Sequence, residues 1–264
     1  MHKYLATFKI EFIHFLEYRS EFIAELLAIV VQLTFSAFIA LAFYEHKSSI
    51  YGYTLDGFIT YTLISVVINR IVDTDVNWVM THQIRKGDLA NILVKPFSYN
   101  WYRLFAELSW KSHSIFYSFT AIGLISLFYT KYFTLGIILT RIPLFMLAMV
   151  ISYFLNRAFK YLIGCLAFWT KDTGGISNFV NEVISILSGK WLPLDFFGSL
   201  AKYMKLLPFS YIFYFPIQIL LSENLTFADI LRILVIEVLW TALFTFIGKY
   251  FWKKGLKQFE AVGI

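Results

Sequence analysis

Asp73 and Asp75, set in a long apolar stretch with His82 a few residues on, are the side chains of this sequence that most readily suggest a metal site. Their spacing argues against one: two apart on a helix they point in different directions, and His82 is the only histidine nearby. His113 lies in another apolar run with no Ser or Asp partner at readable spacing, so an intramembrane hydrolase has no nucleophile and base to work with. A phosphate-cradling Gly-x-x-x-x-Gly-Lys-Ser/Thr loop is also missing, because Gly189-Lys190 lacks both the earlier Gly and a following Ser or Thr. No catalytic residue and no cofactor is expected in the chain itself. Energy for any ATP-driven work would come from another polypeptide.

The remaining polar residues in apolar runs are Arg70 beside the two aspartates, then Asn156, Arg157 and Lys160, then Asn181 and Glu182. An unpaired charge in hydrocarbon costs about 3 kcal/mol or more, so such residues are functional candidates. Arg157 and Lys160 are three apart and share a helical face. Two readings stay open. Arg70, Asp73, Asn156, Arg157, Lys160 and Glu182 could line a translocation path, in which Arg157 and Lys160 would suit an anionic or amphiphilic cargo. They could equally form interhelical ion pairs or snorkel from the span ends.

A charged island, Ile84-Arg85-Lys86-Gly87-Asp88-Leu89-Ala90-Asn91-Ile92-Leu93-Val94-Lys95-Pro96, separates two of the apolar segments. As a helix over about 86–95 it is opened by Gly87 and ended by Pro96. Leu89, Ile92 and Leu93 then fall on one side, with Lys86, Asp88, Asn91 and Lys95 on the other. Such a helix would lie on the membrane surface and could dock a soluble partner.

The elements that position these residues follow from composition. The 264 residues are 59% hydrophobic and 15% charged, with mean hydropathy +0.66. That excludes a soluble domain and allows several spans of about 20 residues. The apolar runs are continuous and long, not the ten-residue alternating segments of an outer-membrane barrel, so the fold class is an all-α polytopic membrane protein. An amphipathic helix over about 4–20 should lie in the interface, with Leu5, Phe8, Phe12, Phe15 and Leu16 on its apolar face. Six spans are expected, at about 22–43, 57–81, 104–128, 139–169, 176–189 and 228–252. Between the fifth and sixth, Gly189, Pro193, Gly198, Pro208 and Pro216 break the chain, and a re-entrant outer segment over about 190–221 fits that pattern.

The net charge of +6 and pI near 9.2 come from basic residues scattered at span ends, which argues for positive-inside topology and against nucleic acid. With both termini cytoplasmic, twelve of the 23 Lys and Arg fall inside and seven outside, and four lie within or near spans. No cleavable signal peptide is expected, since Glu11 and Glu17 interrupt the N-terminal stretch. The single cysteine, Cys165, sits in an apolar run and is read as core filler.

Taken in order, Ile84-Arg85-x-Gly87-Asp88-Leu89, Leu93-x-Lys95-Pro96 and Arg103-Leu104-Phe105-x-Glu107 resemble the cytoplasmic loop between the second and third spans of ABC-2 type transporter permeases. Ser188-Gly189-x-x-x-Pro193-Leu194, then Leu207-Pro208-Phe209 and Phe215-Pro216, are similar to that family's segment between the fifth and sixth spans. Gly255-Leu256-x-x-Phe259-Glu260-Ala261-x-Gly263 resembles its tail, which here ends in Ile264 where a second Gly is common. The resemblance covers nearly the whole chain.

It implies the permease subunit of an ATP-binding-cassette exporter in a bacterial inner membrane. The island becomes a coupling helix, with Arg85, Lys86, Gly87, Asp88, Leu89, Ile92, Leu93, Lys95, Pro96, Arg103 and Glu107 as coupling residues. Leu89, Ile92 and Leu93 would seat in a groove of a cytoplasmic ATPase. Two copies of that subunit would carry the ATP and magnesium, and a second permease, the same chain or a different one, would complete the path. Ser188, Gly189, Pro193, Pro208 and Pro216 form the outer re-entrant motif. The competing classes are an intramembrane acyl or glycosyl transferase, which should show clustered His, Asp or Glu at the membrane face, and a non-transporting scaffold, which would not need the island.

Overall fold

The structure is a computed structural model that describes residues 2–17, 19–96, 98–128, 135–170 and 174–259. Eleven α-helices account for nearly all regular structure among these residues. The stretch around Lys131, expected from the sequence as a short loop, the Lys171-Asp172-Thr173 tract and the tail residues Glu260, Ala261 and Gly263 lie outside them.

Helix α1 (His2–Glu17) packs along α6 (Tyr99–Phe128), with Tyr4 stacked on Phe105 at 5.7 Å and Phe12 against His113 at 4.2 Å. The Tyr4 hydroxyl accepts from the Ser98 backbone N–H at 3.1 Å. Helix α2 (Arg19–Tyr44) carries apolar residues outward, among them Val31, Phe35, Phe38 and Leu41. A short antiparallel hairpin follows, β1 (Ser49–Ile50) with β2 (Tyr53–Thr54), in the register Ser49 to Thr54 and Ile50 to Tyr53. Its two-residue turn, Tyr51-Gly52, has positive φ at both positions, +47° and +88°, the requirement of a type I′ turn.

The second expected span is not one helix. It is α3 (Leu55–Val72), an extended residue at Asp73 (φ −66°, ψ 149°), then α4 (Val76–Arg85). The island forms α5 (Asp88–Leu93), six residues and shorter than the expected 86–95. Gly87 precedes it in the left-handed region (φ +77°), where a side chain would be strained. Next come α6, α7 (Leu135–Cys165) with a 3₁₀ turn at Leu166–Phe168, and α8 (Gly174–Leu187). The expected broken segment holds a 3₁₀ stretch at Leu194–Leu200, α9 (Ala201–Met204), a 3₁₀ turn at Pro208–Tyr211 and α10 (Tyr214–Leu221). Helix α11 (Phe227–Leu256) begins with a capping box in which Thr226 and Asp229 satisfy each other's backbone N–H groups.

Among the described residues, four stretches are long and apolar enough to cross a membrane: Leu27–Tyr44, Leu55–Arg85, Thr140–Phe168 and Phe227–Leu256. Helix α8, an apolar helix over Gly175–Leu187, is short for a crossing of about 20 residues. Helix α6 has the length, but its first half carries Arg103, Glu107, Lys111 and His113.

The main core lies among α3, α7, α10 and α11, around Tyr61, Ile68, Met149, Leu155, Ile217 and Leu234. A second cluster gathers Val76, Met80 and Ile84 of α4, Leu89 of α5, Tyr99 of α6, and Tyr161, Cys165 and Ala167 beyond. Tyr99 stacks on Trp252 of α11 at 4.8 Å, and a Cβ on Gly255 would collide with the Phe168 ring. This glycine of the tail motif therefore lets the end of α11 close on the second cluster.

Candidate functional site

The break between α3 and α4 frees backbone carbonyls that a continuous helix would have paired. Inside an apolar bundle those groups need donors, and α6 and α7 supply them. Asn156 Nδ2 donates to the Val72 carbonyl at 3.0 Å. Lys111 Nζ donates to the Ile71 carbonyl at 2.9 Å and also to the Asp73 carbonyl. Lys160 Nζ donates to the Thr74 carbonyl at 2.8 Å and pairs with Asp73 Oδ1 at 2.7 Å.

Glu107 sits at the centre of this network. It accepts from Thr74 Oγ1, from the Tyr153 hydroxyl at 3.1 Å and from Arg157 Nε at 3.0 Å. Arg157 continues to Asn100, whose side-chain oxygen accepts at 2.6 Å and whose carbonyl accepts at 3.1 Å. Arg103 approaches Asp75 to 3.5 Å.

Of the six path candidates, Asp73, Asn156, Arg157 and Lys160 come together here, and the geometry supports their pairing role. Arg70 is half-buried on α3 and Glu182 exposed on α8. The motif residues Arg103 and Glu107, expected with the coupling surface, instead belong to this internal network. Glu107 is 4% exposed, since the face of α6 it shares with Lys111, four residues on, packs against the α3–α4 break and α7. Lys111, Thr74, Tyr153 and Asn100 were not among the expected site residues. The spacing of Lys111 to Glu107 was the available signal. Glu237, wholly buried on α11 with Oε1 accepting from Ser152 at 2.6 Å, was missed as well, although an acid well inside the last apolar run marks it.

The coupling helix also needs correction. Leu89, expected to seat in a partner's groove, is fully buried inside this chain, and Ile92 is half-buried against the same cluster. Once α4 and the end of α11 are folded beneath the island, its apolar side has an occupant already. The residues left outside are Arg85, Lys86, Asp88, Asn91, Leu93, Val94, Lys95 and Pro96, with Val94 83% exposed. Gly87 hinges α5 to α4.

The outer motif is a buttressed turn. Gly189 holds φ +78°, and its carbonyl accepts from the Tyr61 hydroxyl at 2.6 Å. A Cβ there would meet that hydroxyl at 2.9 Å and Tyr214 Cβ at 3.1 Å. The Ser188 carbonyl accepts from the Tyr214 N–H at 2.9 Å, and Ser65 Oγ donates to the Lys190 carbonyl at 2.7 Å. Pro193 and Pro208 start the two 3₁₀ stretches, where a missing N–H costs nothing, and Pro216 lies in the first turn of α10. Nearby, Asp195 accepts from the hydroxyls of Tyr53 at 3.0 Å and Tyr214 at 2.9 Å and pairs with Lys205 at 2.6 Å. Burial, and next the Asp195 carboxylate, push the Tyr53 hydroxyl well above the usual phenol range, so it remains a donor.

These features define a helical membrane protein with a surface helix seated on a broken span and a buttressed, interrupted segment before its last helix. The chain belongs to the ABC-2 family transporter proteins, whose profile matches residues 29–263. Among curated proteins and among solved structures, no significant match is found. Family membership makes it a membrane permease component of a transporter.

Proposed function

We propose that the chain is the permease subunit of an ATP-driven exporter, forming one half of the translocation path, and that a separate cytoplasmic ATPase subunit drives it through α5. The observation that carries this reading is the seating of α5. Its inner residue Leu89 is locked into the cluster of Val76, Met80, Ile84 and Tyr99, while its outer residues are polar or exposed. A push on the exposed face would reach α4 and α6 directly, and through them the network at Asp73 and Glu107. A six-residue helix fixed only to lipid could not transmit such a force.

In this proposal two ATPase copies carry the ATP and magnesium, and a second permease, identical or different, covers the exposed apolar face of α2. The six spans have both termini on the cytoplasmic side of a bacterial inner membrane, and residues 190–221 re-enter from the outside. The test is co-purification with a candidate ABC ATPase subunit co-expressed with this chain, followed by subunit mass and substrate-stimulated hydrolysis in liposomes. A complex of two permeases and two ATPases with stimulated hydrolysis is expected. A stable, active single permease without an ATPase would overturn the reading.

A further inference from the structure

Helices α6, α7 and α11 leave a cleft of about 210 Å³ between them, at the end of the bundle where α5 lies. Its walls are apolar, from Leu104, Phe154 and Ala158, and Trp101 stands exposed at the rim. Thr241, Thr245 and Lys249 line it from one stripe of α11, each four residues from the next. Opposite them is Arg157, 6% exposed. Its three hydrogen bonds to Glu107 and Asn100 leave two of the five guanidinium N–H groups for another acceptor. No carboxylate lines the cleft among the described residues. Glu107 offsets the charge of Arg157, so Lys249, exposed and without an ion pair among the described residues, supplies the net positive charge.

We propose that this cleft holds the headgroup of an anionic phospholipid from the surrounding bilayer. Charge complementarity selects the ligand: with the Thr241 hydroxyl donating to the Glu237 carbonyl at 2.8 Å, two cations and the Thr245 hydroxyl face a space with no acid, a set that suits a phosphodiester carrying no compensating ammonium. The tryptophan at the rim marks the level of the membrane interface. From the cleft, Phe154 and Val150, one turn apart and both exposed, extend an apolar wall along α7 for an acyl chain. The site requires only that the chain sit in a membrane, and it is independent of coupling to an ATPase.

Native mass spectrometry of the full-length protein in detergent, with added dioleoylphosphatidylglycerol or dioleoylphosphatidylethanolamine, tests this. Phosphatidylglycerol should be retained in preference to phosphatidylethanolamine. Lys249→Gln should weaken its retention about fivefold. Thr245→Trp, which fills the cleft without changing charge, should remove the tight site, and Lys253→Gln, one turn further along the same helix, should leave it intact. Equal retention of the two lipids, equal loss in the two lysine variants, or undiminished binding in Thr245→Trp would each overturn the proposal. So would a Thr245→Trp variant whose loss is of self-association and not of lipid, since a second copy of the chain would then be the occupant.

Discussion

Arg157 Nε lies 3.0 Å from Glu107 Oε2, with 7% and 2% of the two side chains exposed, so α6 and α7 are joined by an ion pair with almost no water around it. Removing one member of such a pair leaves the other charge uncompensated in a low dielectric. Glu107→Ala is therefore expected to destabilise the protein by about 3 to 5 kcal/mol. Because the two residues share one network, Glu107→Gln combined with Arg157→Gln should cost less than the sum of the single changes. Thermal unfolding in detergent reads both effects; a Glu107→Ala variant indistinguishable from wild type would show that the network does not hold the broken span.

The two leucines of the coupling helix should separate stability from coupling. Leu89 is fully buried, and Leu89→Ala should cost about 2 to 5 kcal/mol with the cavity it leaves. Leu93 and Val94 are 39% and 83% exposed, so changing both to Ser should leave unfolding unchanged. If an ATPase docks here, the Leu93 and Val94 double variant should lose co-purification and substrate-stimulated hydrolysis while remaining folded. Retention of both would exclude this face as the contact.

Gly189→Ala combines an unfavourable backbone with a collision. At φ +78° a Cβ is strained, and it would meet the Tyr61 hydroxyl at 2.9 Å. A loss of about 1 to 3 kcal/mol is expected from the backbone alone. Tyr61→Phe gives the collision room but orphans the Gly189 carbonyl, at about 1 to 3 kcal/mol. Both variants should melt below wild type, and a neutral Gly189→Ala would contradict the buttressed turn.

The long helices α2, α3, α7 and α11 were legible because each is an extended apolar run, and the breakers Gly189, Pro193, Pro208 and Pro216 marked the interrupted segment directly. The break at Asp73-Thr74-Asp75 was not, because hydropathy averaged over a window stays high when three residues leave the helix and side chains from α6 and α7 satisfy their carbonyls. Orientation was the other gap. Periodicity puts Leu89 and Ile92 on one side of the island, but it does not say whether the apolar partner is another subunit or, as with Met80 and Tyr99, the same chain. The six-residue hairpin around Tyr51-Gly52, with strands of two residues each, is too short for alternation to register.

Topology admits a direct measurement, and the cysteine count makes it clean. Cys165 is buried, so Cys165→Ala removes the only native thiol at the cost of a small apolar volume, about 1 kcal/mol on the scale of a buried methylene-sized group. Lys202 is exposed on α9, within the interrupted segment that the proposed orientation puts on the outer side. In intact cells, Lys202→Cys in the Cys165→Ala background should react with a membrane-impermeant maleimide added outside, whereas Lys86→Cys, exposed beside α5, should react only after the cells are opened. The positive-inside bias sets this expectation. The reverse pattern would turn the bundle over, put α5 on the outer face, and leave a cytoplasmic ATPase nothing to push.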